Sequence, residues 1–219
     1  MKAVLLDFDG TLFDSEPHHY SILKDTLGKY NIMLSHKEYV EHFLGMAIPD
    51  AAVKIVNHWN LGATPSEFAC QREDSYYQWL EGNTPALFPH AQEMISNLLS
   101  NGLRLGLVSG SGGKGVFNTL SRHGLIDKFC AIVIREDCIR TKPDPAPYLL
   151  AFNRLGLEAS DCLAVEDSRN GWRSATEAKV QCLKIAHTPT SHFYSDADSF
   201  KGFEKIHQWI CREFNLKKS

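Results

Sequence analysis

Apolar positions along the chain fall into two alternating periods. Short runs suited to β-strands recur at residues 3–7, 104–109, 129–134, 161–166 and 181–185, and helical periodicity fills the gaps between the last four. Ala91, Met94, Ile95, Leu98 and Leu99 follow an i, i+3, i+4, i+7, i+8 stripe that stops at Asn101-Gly102. Val116, Phe117 and Leu120 before Gly124, then Tyr148, Leu149, Phe152 and Leu155 before Gly156, repeat the device. A final stripe runs through Phe203, Ile206, Trp209, Ile210 and Phe214. Strands alternating with helices predict a parallel α/β sheet.

Residues 15–86 break the alternation. Where a second βα unit belongs, only helical periods appear: Tyr20, Leu23, Leu27 and Tyr30 share one face, Ala52, Ile55, Val56 and Trp59 a second, and Phe68, Tyr76, Trp79 and Leu80 a third. Helices of this kind form a small inserted bundle. The outgoing linker falls at residues 14–17, and Glu81-Gly82-Asn83-Thr84-Pro85, with Pro89 just beyond, is the return linker. Trp59, Tyr76, Tyr77 and Trp79 lie at helical spacing and are expected in the core of that bundle.

Composition narrows the class. With 219 residues, 43% hydrophobic and 22% charged, the chain can build a full core and is not a disordered or fibrous sequence. Its 23 basic and 26 acidic residues leave a net charge of −3, which gives no field for nucleic acid or an anionic membrane. The longest apolar runs, residues 3–6 and 130–134, fall far short of the roughly 20 residues a membrane helix needs. Met1-Lys2 leads into a run too short for a secretory signal, so a cytoplasmic protein is expected. The six cysteines, at 70, 130, 138, 162, 182 and 211, form no CxxC pair and read as reduced core thiols. Nothing in the sequence asks for more than a monomer.

The chemistry concentrates at the ends of strands. Asp7-Phe8-Asp9-Gly10-Thr11 follows the first β run, and Glu166-Asp167 follows the fourth and precedes Ser168-Arg169-Asn170-Gly171. Ligands of open α/β sheets gather at that edge. Four carboxylates converging there repel one another, so either some are protonated or a cation holds them. An all-oxygen site with open positions suits Mg²⁺, with structural Ca²⁺ as the alternative. Ser109, leading into Gly110-Ser111-Gly112, offers a hydroxyl and backbone N–H groups near a helix start. Lys142, held by the prolines at 143 and 145, supplies a positive charge within reach of the same edge.

These motifs, in this order, resemble those of the haloacid dehalogenase superfamily, and the match covers nearly the whole chain. The insert resembles the cap of the branch that holds sugar phosphatases, phosphoglycolate phosphatases and β-phosphoglucomutase. The resemblance implies an α/β fold with a Rossmann-like parallel-sheet core, residues 1–14 and 86–219, and an inserted helical cap domain, residues 15–85. It makes Asp7 the nucleophile that forms an aspartyl-phosphate and Asp9 the general acid and then base, its backbone carbonyl also reaching the metal. Asp7, Asp9, Glu166 and Asp167 would hold Mg²⁺. Gly10, Thr11, Ser109, Gly110 and Lys142 would hold the phosphoryl oxygens.

The implied activity is Mg²⁺-dependent hydrolysis of a small phosphomonoester, a sugar phosphate or similar metabolite. Carbon-halogen hydrolases of the superfamily typically lack the second aspartate, so Asp9 speaks for phosphoryl transfer. A mutase is the second reading. Thr11 and Ile48 depart from the β-phosphoglucomutase pattern, which has an apolar residue and a cap arginine there. His19 aligns with a histidine of that mutase's cap hinge, but His18-His19 at a helix start reads as a solvated or capping pair. A cation-dependent binding module is the non-enzymatic alternative.

Other motifs are weaker. Gly110-Ser111-Gly112-Gly113-Lys114-Gly115 fits G-x-G-x-x-G, yet the nearest acidic candidates for a ribose are Glu136-Asp137, and the motif lies outside the first βα unit. Residue 115 is Gly, which rules out a P-loop. The ten histidines make no HExxH, and His187 and His192 lie in a loop, which speaks against zinc. Lys24, Lys29, Lys37, Lys54 and Arg72 are among the few basic groups of the insert, and nothing in the sequence sets any of them over the site.

Overall fold

The computed structural model describes residues 1–217. The chain opens with β1 (Ala3–Leu6) and a short β2 (Phe13–Asp14), then runs through α1 (Glu16–Gly28), α2 (His36–His42), α3 (Ile48–Trp59) and α4 (Pro65–Gly82). It returns through β3 (Ala86–Leu87) and continues as α5 (Ala91–Ser100), β4 (Arg104–Val108), α6 (Gly113–Arg122), β5 (Ala131–Val133) and α7 (Ala146–Leu155). β6 (Cys162–Glu166), α8 (Arg169–Glu177), β7 (Gln181–Lys184) and α9 (Phe203–Glu213) complete it. No helix among the described residues is long and apolar enough to cross a membrane.

Five strands pair in parallel in the order β5-β4-β1-β6-β7. β1 is central and buried on both faces. Val4 and Leu6 point into one core with Met94, Leu98, Val116, Leu120, Ile206 and Ile210 from α5, α6 and α9. Ala3 and Leu5 point into the other with Tyr148, Phe152 and Ala175 from α7 and α8. β4 and β6 flank β1, so the loops after these three strands open on one edge where the connections part to opposite sides.

Each of the five strands stops slightly inside its expected limits, although Asp7 and Ser109 still donate a backbone N–H to the Val165 and Val133 carbonyls, at 3.2 and 2.9 Å, before the chain turns into the site. β5 is an edge strand and is trimmed most. The antiparallel pair of β2 and β3, with Phe13 opposite Leu87 and Asp14 opposite Ala86, was not foreseen, since two-residue strands carry no period. It sets the two connections of the helical insert side by side.

The insert brings its own core of Leu23, Leu27, Tyr39, Ile55, Val56 and Phe68. Its helices start on clear signals: Ser35 and Thr64 each accept from the N–H three residues on, and Glu38 and Glu67 reach back. Tyr76 is buried as expected, while Tyr77 is only partly covered. The cysteines correct the expectation of core thiols. All six are thiols outside any disulfide, but only Cys162 and Cys211 are buried, and Cys70 and Cys130 are exposed. Cys70 lies on the outer face of α4, and Cys130 precedes the edge strand.

Candidate active site

Asp7 is the first residue past β1, and its backbone N–H still bonds the Val165 carbonyl, which fixes the carboxylate at the sheet edge. Gly10 then turns the chain at φ +72°, and a Cβ there would lie 2.3 Å from Asp167 Oδ2. Only glycine fits. The next residue, Thr11, donates through Oγ1 at 3.2 Å to Oδ1 of Asp167, which lies at the end of the neighbouring strand β6. Asp7, Glu166 and Asp167 are all buried, and each offers an oxygen within 4.8 Å of the others.

Lys142 is the counter-charge. Its Nζ donates to Asp7 Oδ1 at 2.7 Å, to the Val108 carbonyl at 2.7 Å and to Glu166 Oε1 at 2.5 Å. Tyr148, fully buried on α7, donates to the same Glu166 oxygen at 2.5 Å. Glu166 Oε2 is buried with no partner. It packs so close to α8 that a Cβ on Gly171 would lie 1.8 Å away.

One lysine does not balance this group. Burial pushes the Asp167 carboxyl far above the usual range, with repulsion from Asp7, Glu16 and Glu166 adding to it. Burial and then Asp7 push Glu166 up to about 8 against the pull of Lys142 and Tyr148. Burial raises Asp7 too, even beside Lys142. An all-oxygen donor set with excess negative charge and an unpartnered carboxylate oxygen fits a hard divalent cation such as Mg²⁺.

Asp9 has a different environment. Its carboxylate lies outside the three-acid group among the described residues; Oδ1 accepts from Ser15 Oγ at 2.5 Å and faces His19 Nε2 at 3.2 Å, and Oδ2 accepts from Ser111 Oγ at 2.5 Å. Burial raises its pKa, but His19, Ser111 and Ser15 outweigh burial and hold it below the ordinary value. His19 is therefore not a solvated pair with His18: it is 7% exposed, stacked on Tyr76 and turned to Asp9.

A cavity of about 50 Å³ lies over these groups. Asp7, Asp9, Gly110, Ser111, Lys142 and Asp167 form its floor, and Glu16, His19, Tyr39, Met46, Ile48 and Arg72 its helical wall. Four candidate residues do not line it. Gly10 borders a neighbouring cavity, Thr11 is spent on Asp167, and Glu166 lies behind Lys142. Ser109 is buried beneath, its hydroxyl accepting from the Ser111 N–H at 3.0 Å.

The glycine motif at residues 110–115 does not make a dinucleotide cradle. Glu136 Oε2 accepts from the Gly113 N–H at 3.0 Å, so a carboxylate already occupies the start of α6 where a pyrophosphate would bind. His187 and His192 ligate nothing together: His187 Nε2 donates to the Thr11 carbonyl at 2.9 Å, and His192 Nδ1 accepts from the Arg169 N–H at 3.4 Å.

Comparison with known proteins agrees with this geometry. The family described as haloacid dehalogenase-like hydrolase matches residues 4–185. The chain belongs to that family. A phosphoglycolate phosphatase of Yersinia pseudotuberculosis is 30% identical over 190 residues, 85% of this chain and 82% of that protein. Among solved structures, CbbY from Rhodobacter sphaeroides in complex with phosphate superposes with a TM-score of 0.82 at 20% identity, over 95% of this chain and 96% of that one. The β-phosphoglucomutase of Clostridium difficile superposes equally well, with a TM-score of 0.82 at 19% identity, over 98% and 97%. Both neighbours share the fold of this haloacid dehalogenase-like chain.

Sequence reasoning missed Ser15, Ser111, Tyr148 and Arg72. Ser111 was seen only as part of a glycine-rich turn, and Tyr148 only as an apolar stripe position. Arg72 did leave a signal: it stands four residues after Phe68 and four before Tyr76, a charge inside an apolar helix face.

Proposed function

We propose that this haloacid dehalogenase-like hydrolase is a Mg²⁺-dependent phosphatase of small phosphomonoesters, monomeric and cytoplasmic. One observation carries the reading: a buried nucleophile-type carboxylate, Asp7, held at 2.7 Å by Lys142 beside a second aspartate in a separate hydrogen-bonded environment. The named relatives act on small phosphorylated compounds, and they support the same class.

Asp7 attacks phosphorus through a carboxylate oxygen, the ester P–O bond breaks, and the leaving oxygen takes the proton of Asp9. Water then attacks the phosphorus of the aspartyl-phosphate and gives a proton to Asp9, and the Asp7–phosphorus bond breaks to release orthophosphate. The lowered pKa of Asp9 favours its ionised form, which suits the second step. Lys142 holds Asp7 in line and, with the backbone N–H groups near Gly110, faces the charge that grows on the phosphoryl oxygens. Asp7, Asp167 and Glu166 are the groups that would hold Mg²⁺, which when bound neutralises phosphoryl charge. Residues 15–85 serve as a cap that excludes water over the strand ends.

Ile48 lines the cavity with an apolar side chain, which favours hydrolysis over a mutase. The test is phosphate release from a panel of phosphorylated metabolites and p-nitrophenyl phosphate, with Mg²⁺ and again with EDTA. Mg²⁺-dependent release that EDTA stops reversibly is expected. No release from the folded protein, or release indifferent to EDTA, overturns the proposal.

A further inference from the structure

Lys142 has every donor engaged before any phosphoryl group arrives. An ammonium carries three N–H bonds, and all three are taken, by Asp7 Oδ1 and the Val108 carbonyl at 2.7 Å each and by Glu166 Oε1 at 2.5 Å. The side chain nevertheless lines the cavity beside Asp7, Gly110 and Ser111, where the phosphoryl group of a substrate would sit. To donate to a phosphoryl oxygen, Lys142 has to release one of its three acceptors. The bond to Asp7 holds the nucleophile, and the Val108 carbonyl is fixed at the end of β4.

Glu166 can be released without being left bare, because the Tyr148 hydroxyl donates to the same oxygen, Oε1, at 2.5 Å. The carboxylate cannot follow the lysine. It is fully buried and wedged against α8, where a Cβ on Gly171 would lie 1.8 Å from Oε2 and 2.5 Å from Oε1. Tyr148 is equally fixed, fully buried among Leu5, Val108, Ala151 and Ala164 with its ring 5.5 Å from Lys142 Nζ. A phenyl ring would satisfy that apolar cluster, so the hydroxyl answers to Glu166 and not to packing. With it in place, the carboxylate oxygen keeps a donor when the lysine leaves; without it, the oxygen would be buried with none, which is costly.

Resting on the phosphatase reading, we propose that Tyr148 is a positioning residue whose hydroxyl takes over Glu166 Oε1 while Lys142 releases it and donates to a phosphoryl oxygen. Tyr148 touches neither the substrate nor the reacting atoms and acts on phosphate binding through Glu166 and Lys142. The test compares the native protein with Tyr148→Phe, which keeps the ring, in the presence of Mg²⁺ and with inorganic phosphate as the probe. Phosphate, measured by calorimetry and as a competitive inhibitor, should bind the variant about tenfold more weakly, and KM for a phosphomonoester should rise with it while kcat changes by less than about threefold. Mg²⁺ affinity without phosphate should stay within about threefold of native. Unchanged phosphate affinity overturns the Tyr148 assignment, and so does a loss of Mg²⁺ affinity as large as the loss for phosphate, since Tyr148 would then only hold a metal ligand. A crystal structure of the native protein with Mg²⁺ and phosphate needs no variant and decides the matter if melting curves show Tyr148→Phe to be unfolded. Lys142 Nζ should reach a phosphate oxygen and lie beyond about 3.5 Å from Glu166 Oε1, with Tyr148 still bonded there. A Lys142 that keeps Glu166 with phosphate bound overturns the exchange while the phosphatase stands. A native protein that binds no phosphate and hydrolyses no ester overturns both.

Discussion

The two walls of the cavity are built to opposite rules. On the sheet side nearly every polar group is answered: Lys142 makes three hydrogen bonds, Asp9 is met by Ser15, His19 and Ser111, and Thr11 and Tyr148 hold Asp167 and Glu166. On the helical side Met46, Ala47 and Ile48 stand among Glu16, Tyr39 and Arg72, and the Arg72 Nε is buried without a hydrogen bond although Glu16 and Asp9 attract its charge. A wall whose groups constrain one another suits a fixed reaction. A wall that mixes apolar and polar side chains with fewer mutual bonds suits a choice among leaving groups.

The largest break in this contrast comes from Asp7→Asn. It removes the nucleophile while keeping size and shape, and turnover should fall at least about a thousandfold, as when other covalent nucleophiles are lost. Stability should hold or rise. Burial, which outweighs the pull of Lys142, and repulsion from Asp9 disfavour the ionised Asp7 in the folded state, and a neutral amide relieves that cost. Phosphate release and a melting curve on one preparation check both halves. Activity within tenfold of the native protein would remove Asp7 from the chemistry.

That contrast also explains what could be seen in the sequence. Asp7, Asp9, Glu166 and Asp167 were legible because each sits just past a β run, and strand ends of a parallel sheet share one edge whatever the insert does. Lys142 was legible through the prolines that fix it. The partners that make the site rigid were not, because a hydroxyl such as Ser15 or Ser111 is ordinary in a turn, and Tyr148 satisfies the apolar period of α7 equally well. His19 and Arg72 belong to the insert, whose placement over the edge depends on how its helices pack and on the short β2–β3 pair. No local pattern encodes that placement.

A second test sharpens the comparison on the sheet side alone. His187 stacks on Phe88 at 3.5 Å between centroids and donates to the Thr11 carbonyl, and burial lowers its pKa to about 4. In the unfolded chain it titrates near 6.5. Above pH 6.5 both states are neutral and the full stability is present; as pH falls towards 4 the unfolded chain takes up a proton that the folded one refuses. Stability is therefore lost across that window, by roughly 3 kcal/mol in all. Glu166 has the opposite sign, because its raised pKa adds stability as pH falls through about 8. The difference between the unfolding curves of native protein and His187→Gln isolates the histidine. It should shrink steadily from pH 6.5 to 4, and a difference that does not change with pH would contradict the buried neutral imidazole.

The smallest expected effect tests how firmly the two walls are joined. Arg135, after β5, pairs with Glu73 on α4 and with Glu136 at 3.1 Å, and the Glu73 and Arg135 side chains are only 20% and 15% exposed. Near them Tyr77 packs so close to Gly112 that a Cβ there would lie 2.9 Å from its hydroxyl. The pair ties a helix that carries Arg72 to a loop beside Ser111, and it does so without touching the reacting groups. A partly buried pair of this kind contributes about 1 kcal/mol to the joined arrangement. Glu73→Gln should then raise KM by roughly fivefold with kcat little changed, since the helical wall is held less often over the strand ends. The effect should fade as salt is raised, because screening weakens the native pair and leaves the amide unaffected. A Glu73→Gln protein with native KM at low salt would mean that packing of the helices alone, without this ion pair, holds the wall in place.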